Sequence, residues 1–190
     1  MCSAIVFTHP AGDRELIRIR PLESGDTAEL LEVRLCNREH LEPWESVRGD
    51  TFWTLAGQQE HVRKAVSARE AGRAFPFTIE HQGRIVGTVN LNDVVRRAFQ
   101  SAHLGYWVDA DVGGVGFATE AVRQAIEFAF TEGDLHRVQA AVIPRNGPSI
   151  RVLEKCGFRK EGLARRYLNI AGVWEDHRIF AITIEDWALR

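Results

Sequence analysis

Apolar and polar residues alternate over residues 15–20, ELIRIR, which predicts a half-buried strand followed by a turn at Leu22 to Gly25. Asp26 and Glu29 stand at capping-box spacing and open a helix whose apolar face runs through Leu30, Leu31, Val33 and Leu35. NREHLEPWESVRGD, with Pro43 and Gly49, reads as a loop, and a longer amphipathic helix is predicted from about Thr51 to Gly72. FPFTIEHQ and RIVGTVNLND form two strands joined as a hairpin at Gly83, and SAHLGYWVD forms a third. A glycine-rich corner leads into a helix from about Phe117. After it come the strand HRVQAAVI, a helix from about Asn146 to Cys156, and two last strands around Leu163 and Phe180. Hairpin-linked strands beside one or two helical crossovers predict an α+β fold with a mixed, mostly antiparallel sheet.

Composition narrows this picture without redrawing it. The chain has 190 residues and is 45% apolar, enough for one core and short for two ordinary domains, so a single domain over residues 1–190 is expected. A formal net charge of −2 supplies no global positive field for nucleic acid or anionic lipid. There is no run of 18 apolar residues, and no basic stretch precedes an apolar one near the start, which points to the cytoplasm. Cys2, Cys36 and Cys156 are odd in number and widely spaced, so neither a disulfide framework nor a zinc site is indicated and reduced thiols are expected.

The corner carries the first chemistry. Gly113, Gly114 and Gly116 have no side chains, so a ligand can approach the backbone closely, and the helix that follows offers unpaired amides and a favourable dipole. Val112 to Val115 provide no hydroxyl or carboxylate to consume those donors. A diphosphate suits such a site; a glycine turn without a ligand is the plainer alternative. The dinucleotide fingerprint fails because its third glycine would fall at Thr119, and the triphosphate-binding loop fails because no Gly-Lys-Ser/Thr follows.

Further motifs keep company with the corner: Tyr106-Trp107-Val108, GVGFATEA, Asn146 and Ser149 opening a helix that ends in Cys156-Gly157-Phe158, and the late GVWEDH. In this order, from about Ile17 to Trp187, they resemble the GNAT acetyltransferases, and within them the ribosomal-protein alanine N-acetyltransferases of the RimJ/RimL type. The resemblance implies a twisted sheet whose central strands splay apart to admit acetyl-CoA. The cradle for its pyrophosphate would be the backbone of Val112, Gly113, Gly114, Val115, Gly116, Phe117, Ala118 and Thr119, with the Thr119 hydroxyl as a further donor. The family pattern has Arg or Gln where this chain has Asp111, which removes a cation but leaves glycines and dipole in place.

By the same resemblance Tyr106, Trp107 and Val108 would flank the pantetheine arm, with the Val108 amide aimed at the thioester carbonyl; losing one such donor typically costs roughly 10²- to 10³-fold in rate. Trp107 as core packing is the alternative. Many relatives use a tyrosine on the second helix as the thiolate acid, but that position here is Leu153, which leaves Ser149 as the acid and Asn146 as a pantetheine ligand or a helix cap. Glu161 matches a carboxylate proposed as base, and Trp44, Glu80 and Tyr167 would belong to the acceptor pocket. The implied activity is acetyl transfer from acetyl-CoA to an amine, with no metal. The α-amine of a ribosomal protein N-terminus leads, because an amine with pKa near 8 is about 10% neutral at pH 7, against about 0.04% for lysine. A small-amine acetyltransferase and a non-catalytic CoA-binding sensor or assembly factor also fit. Either a monomer or a homodimer is compatible.

Overall fold

The computed structural model describes residues 17–189. Seven strands form one sheet, β1 (Arg18–Pro21), β2 (Phe75–His81), β3 (Arg84–Val95), β4 (Ser101–Val108), β5 (Arg137–Val142), β6 (Arg159–Ile170) and β7 (Val173–Thr183), in the order β1-β2-β3-β4-β5-β7-β6. Six helices accompany them: α1 (Thr27–Cys36), α2 (Arg38–Leu41), α3 (Leu55–Glu70), α4 (Phe117–Thr131), α5 (Gly147–Lys155) and α6 (Ile184–Ala188). Every neighbouring pair is antiparallel except β4 and β5, which are joined through the helical crossover of α4. This is the GNAT fold.

The β2–β3 turn falls on Gln82 and Gly83, at φ of 49° and 75°, the paired left-handed conformation that suits a tight hairpin. One sheet face buries α4, where Ala121, Ala125 and Ala129 repeat every four residues at no exposure and bring the helix close over Val89, Leu91 and Val138. The other face carries α1 and α3 over Ile85 and Trp107, with Leu22, Leu30 and Val62. Tyr106 packs with the first cluster and Trp107 with the second, as alternation along a strand requires.

The parallel pairing of β4 and β5 covers only Ser101–Arg137, Ala102–Val138 and His103–Gln139. Beyond it the two strands part, and the cleft between them opens toward Val108 and Val142.

Three local expectations are corrected. Asp26 does not cap α1: its carboxylate takes both Arg20 Nη1 and Nη2 at 2.7 Å and the Glu23 amide at 2.8 Å, and two charge-assisted bonds outweigh one to a helix amide. Glu29 accepts from Arg84 Nε at 2.8 Å and Ile85 N at 3.0 Å. The helix expected from Thr51 begins at Leu55, capped by the Thr54 hydroxyl, after a 3-10 turn over Asp50–Trp53. Cys36 is disulfide-bonded where a reduced thiol was expected, Cys156 is a buried thiol that donates to Thr119 O at 3.3 Å, and Cys2, like Glu15 and Leu16, lies outside the described residues. No helix among the described residues is long and apolar enough to cross a membrane.

Candidate active site

β4 ends at Val108, and a 3-10 turn over Ala110–Val112, capped by the Asp109 carboxylate at 3.1 Å from Asp111 N, delivers the chain to the glycine corner. Gly114 and Gly116 have φ of 82° and 99°, and a Cβ built on either would meet nothing within 4 Å. Glycine is needed here for conformation, and the space above the backbone is open. Gly116 is the N-cap of α4, and no side chain caps the helix, so its first-turn amides and positive dipole end face outward. An uncapped 15-residue helix behind bare backbone has the donor set a diphosphate requires.

The ladder between β3 and β4 fixes one more donor. Asp109 N donates to Val86 O at 2.8 Å, so the Val108–Gly87 pair is of the non-hydrogen-bonded kind, and the Val108 amide points away from β3 toward the splay. Across the cleft, Asn146 Oδ1 accepts from Ser149 N at 3.1 Å and caps α5, with Pro148 in its first turn. The Ser149 hydroxyl lies 2.9 Å from the Tyr106 hydroxyl, which also stands 3.1 Å from Ser149 O. Burial pushes the Tyr106 phenol well above its ordinary value, so it keeps its proton. Together the two hydroxyls hold transferable protons at the edge of the splay.

The cleft opens into a cavity of about 370 Å³, lined on one side by Leu104 to Trp107, Ala140 to Ile143, Asn146 and Ser149. The opposite wall is Trp44, Glu45 and Arg48 from the loop after α2, with Arg34, His61 and His177. Arg145 lies over the Trp44 ring at 5.5 Å and binds Glu175 at 2.6 Å. The loop is tied to the β6–β7 turn by Ala171 N to Glu45 O at 3.0 Å and Ser46 Oγ to Asn169 O at 2.9 Å. His61 is held neutral, its pKa lowered to about 4 by burial and then by Arg34 and Arg48. Among the described residues no three His, Cys, Asp or Glu side chains converge as metal ligands would.

Residues 17–159 match the acetyltransferase (GNAT) domain. The chain belongs to the GNAT acetyltransferase family. It is 42% identical over 172 residues to the probable N-acetyltransferase YjcK of Bacillus subtilis (strain 168), covering 90% of this chain and 95% of that one. It is 33% identical over 177 residues to the [Ribosomal protein uS5]-alanine N-acetyltransferase of Escherichia coli (strain K12), covering 92% and 90%. Among solved structures, Mycobacterium smegmatis RimJ in complex with CoA-disulfide superposes with a TM-score of 0.86 at 38% identity, over 90% of this chain and 83% of that one. The ribosomal-protein-S5-alanine acetyltransferase from Vibrio fischeri does so with 0.86 at 36% identity, over 92% and 97%. This GNAT enzyme is thus an acetyl-CoA-dependent N-acetyltransferase.

In this GNAT site Tyr106, Trp107, Asn146, Ser149 and Trp44 line the cavity, whereas Val108 and the glycine corner, which follow Trp107 along the chain, are not part of its lining. Three expected residues are elsewhere. Glu161 forms a two-oxygen ion pair with Arg137, one contact at 2.9 Å, at the closed end of the β4–β5 pairing; Arg137 holds the carboxyl below its usual range. Glu80 belongs to a cluster with Arg18 at 2.8 Å and Arg20 at 2.6 Å on the β1–β2 edge. Tyr167 approaches the cavity only through its edge-on contact with His177 at 5.7 Å. Conversely Arg34, Glu45, Arg48 and His61 were not singled out in the sequence, and His177 entered only as the last residue of GVWEDH, with no role of its own. Glu45 carried a signal in its place directly after Trp44.

Proposed function

We propose that this enzyme acetylates the α-amine of a protein N-terminus with a small first residue, a ribosomal protein being the leading acceptor. The observation that carries the reading is full-length similarity, at 33% and 36% identity, to two proteins named for acetylating a ribosomal-protein alanine. Such an acceptor places the enzyme in the cytoplasm. Small amines are the alternative acceptors.

Acetyl-CoA supplies an activated acyl group. The residues at its end of the cleft bind and orient: amides from Gly114 to Thr119 take the diphosphate, and the Val108 amide donates toward the acyl oxygen, where negative charge develops. The amides of Val112 and Gly113, which the sequence had included, are spent on Asp109 O at 3.2 Å and Ala110 O at 3.0 Å. Asn146 fixes the first turn of α5 and with it Ser149. Ser149 Oγ holds the proton destined for the leaving sulfur, and the Tyr106 hydroxyl, 2.9 Å from Ser149 Oγ, stands beside it as its hydrogen-bond partner. Trp44 gives the acceptor's first residue an apolar wall. The amine enters in its neutral form, about 10% of an α-amine at pH 7, without Glu161 as base.

Peptides beginning with Ala or Ser, their N-terminally blocked forms, lysine peptides and small amines, each incubated with acetyl-CoA and mapped by fragment mass spectrometry, test the reading. Modification is expected at the α-nitrogen alone and is abolished by blocking it even when lysines are present. Preferential lysine modification, or small amines outcompeting every peptide at equal concentration, would overturn it.

A further inference from the structure

Arg34 comes from the last turn of α1 and is 5% exposed. Its guanidinium lies between two rings, 5.0 Å from the Trp107 centroid and 5.4 Å from that of Phe52. A charge so deeply buried is costly unless its donors are met. Here they are not met. Arginine has five N–H donors, yet among the described residues only Nη1 is engaged, by the two Glu45 oxygens at 3.3 and 3.5 Å. A tight charge-assisted bond spans about 2.7–2.9 Å, so even this pair is loose. Nε is sealed from solvent with no partner. Burial lowers the affinity of Arg34 for its proton despite Glu45, the mark of an under-compensated cation.

The position of Arg34 says what could complete it. It lines the 370 Å³ cavity and also a neighbouring one of about 630 Å³ between α3 and the face of β3, and the two share Arg34, His61, Asn90 and Asn92. Neither is lined by any residue of the glycine corner, so the missing partner belongs to the acceptor rather than to the diphosphate.

We propose that Arg34 is the acceptor's anchor, its guanidinium donating to the carbonyl oxygen of the acceptor's first residue. The inference rests on the peptide reading above and names the group by which the site would recognise a peptide. A neutral carbonyl takes the Nη hydrogens that Glu45 leaves unused, without displacing it, whereas a carboxylate would set two anions on one guanidinium. The same contact brings a fixed cation within a few atoms of the reacting nitrogen, which disfavours the ammonium form and helps explain how the site works without a carboxylate base.

The test pairs an Ala-initiated peptide with an analogue whose first peptide bond is a trans-alkene, which keeps the shape and removes the carbonyl oxygen together with the amide N–H; the Arg34 variants below separate the two losses. In the native enzyme the alkene is expected to raise KM roughly 10- to 100-fold with a smaller change in kcat, as for a hydrogen bond to a charged group. Arg34→Met is expected to raise KM for the normal peptide similarly, to leave acetyl-CoA affinity unchanged by calorimetry, and to respond no further to the alkene. Arg34→Lys, which keeps the charge and loses the fork, falls between. Native enzyme indifferent to the alkene overturns the inference whether or not the variants fold, and so does an equal alkene penalty in native enzyme and Arg34→Met. Free alanine binding more tightly than alaninamide through Arg34 overturns it in favour of a carboxylate. Native enzyme that acetylates no peptide at all sinks the peptide reading, and the anchor with it.

Discussion

The donor end of the cleft, residues 108–119, and the acceptor end, gathered from residues 34 to 61 and His177, differ in which atoms face the ligand. At the donor end the proposed contacts are main-chain amides, fixed by one ladder register and one helix start. At the acceptor end they are side chains from α1, a loop, α3 and β7, brought together only by packing. A backbone site is insensitive to side-chain identity as long as glycine conformations survive. A side-chain site changes with every substitution. An enzyme that must keep one donor while its acceptor varies is well served by that division.

The comparison is broken most severely at the corner. Gly116→Glu puts a carboxylate over the uncapped start of α4, so acetyl-CoA affinity is expected to fall about 100-fold or more. Because φ there is 99°, some loss of stability accompanies it, and calorimetry on samples shown to be folded separates the two. Next comes the proton pair. Ser149→Ala is expected to lower kcat by about 10²-fold with acetyl-CoA binding unchanged, and Tyr106→Phe to lower it less. Equal turnover in native enzyme and Ser149→Ala would remove the hydroxyls from the chemistry.

A smaller effect sharpens the acceptor side. Folded His61 takes its proton only near pH 4, while in the unfolded chain it does so near 6.5. Between those values the unfolded state binds more protons, so stability rises with pH across the window and is lost as pH falls through it. His61→Gln is expected to flatten this segment of a denaturant-derived stability profile by at most one proton's slope; an unchanged slope assigns it to other groups. Smallest of all, Glu161→Gln is expected to leave turnover and its pH profile where they are. A flattened acidic limb in that variant would return the carboxylate to the mechanism.

The donor end was legible in the sequence for the reason that it is robust. Glycines at Gly114 and Gly116, the absence of a capping side chain and the Asn146–Ser149 helix start are local signals that need no tertiary partner to be read. The succession of strands and helices and the mixed, mostly antiparallel sheet followed from alternation and hairpin spacing, with one or two helical crossovers expected; the order of the strands within the sheet did not. The acceptor end was hidden because Arg34 and His61 sit on helices whose local pattern describes any solvated face. Glu161 misled for a related reason: Arg137 reaches it across β7, and the placing of β7 between β5 and β6 is not written into either strand. Asp26 shows the same limit at close range, since its spacing to Glu29 satisfies a helix cap while Arg20, from β1, claims the carboxylate.

The junction that closes the acceptor mouth joins segments 123 residues apart, and both of its bonds end on carbonyl oxygens, those of Glu45 and Asn169. Every amino acid carries that oxygen. Descendants of this chain can therefore replace Glu45 and other side chains around the mouth and still inherit the backbone bond of its closure, while the second bond asks only for a hydroxyl at Ser46. Divergence toward a new acceptor then requires only point changes along the rim, while the hinge of loop and hairpin passes from copy to copy intact.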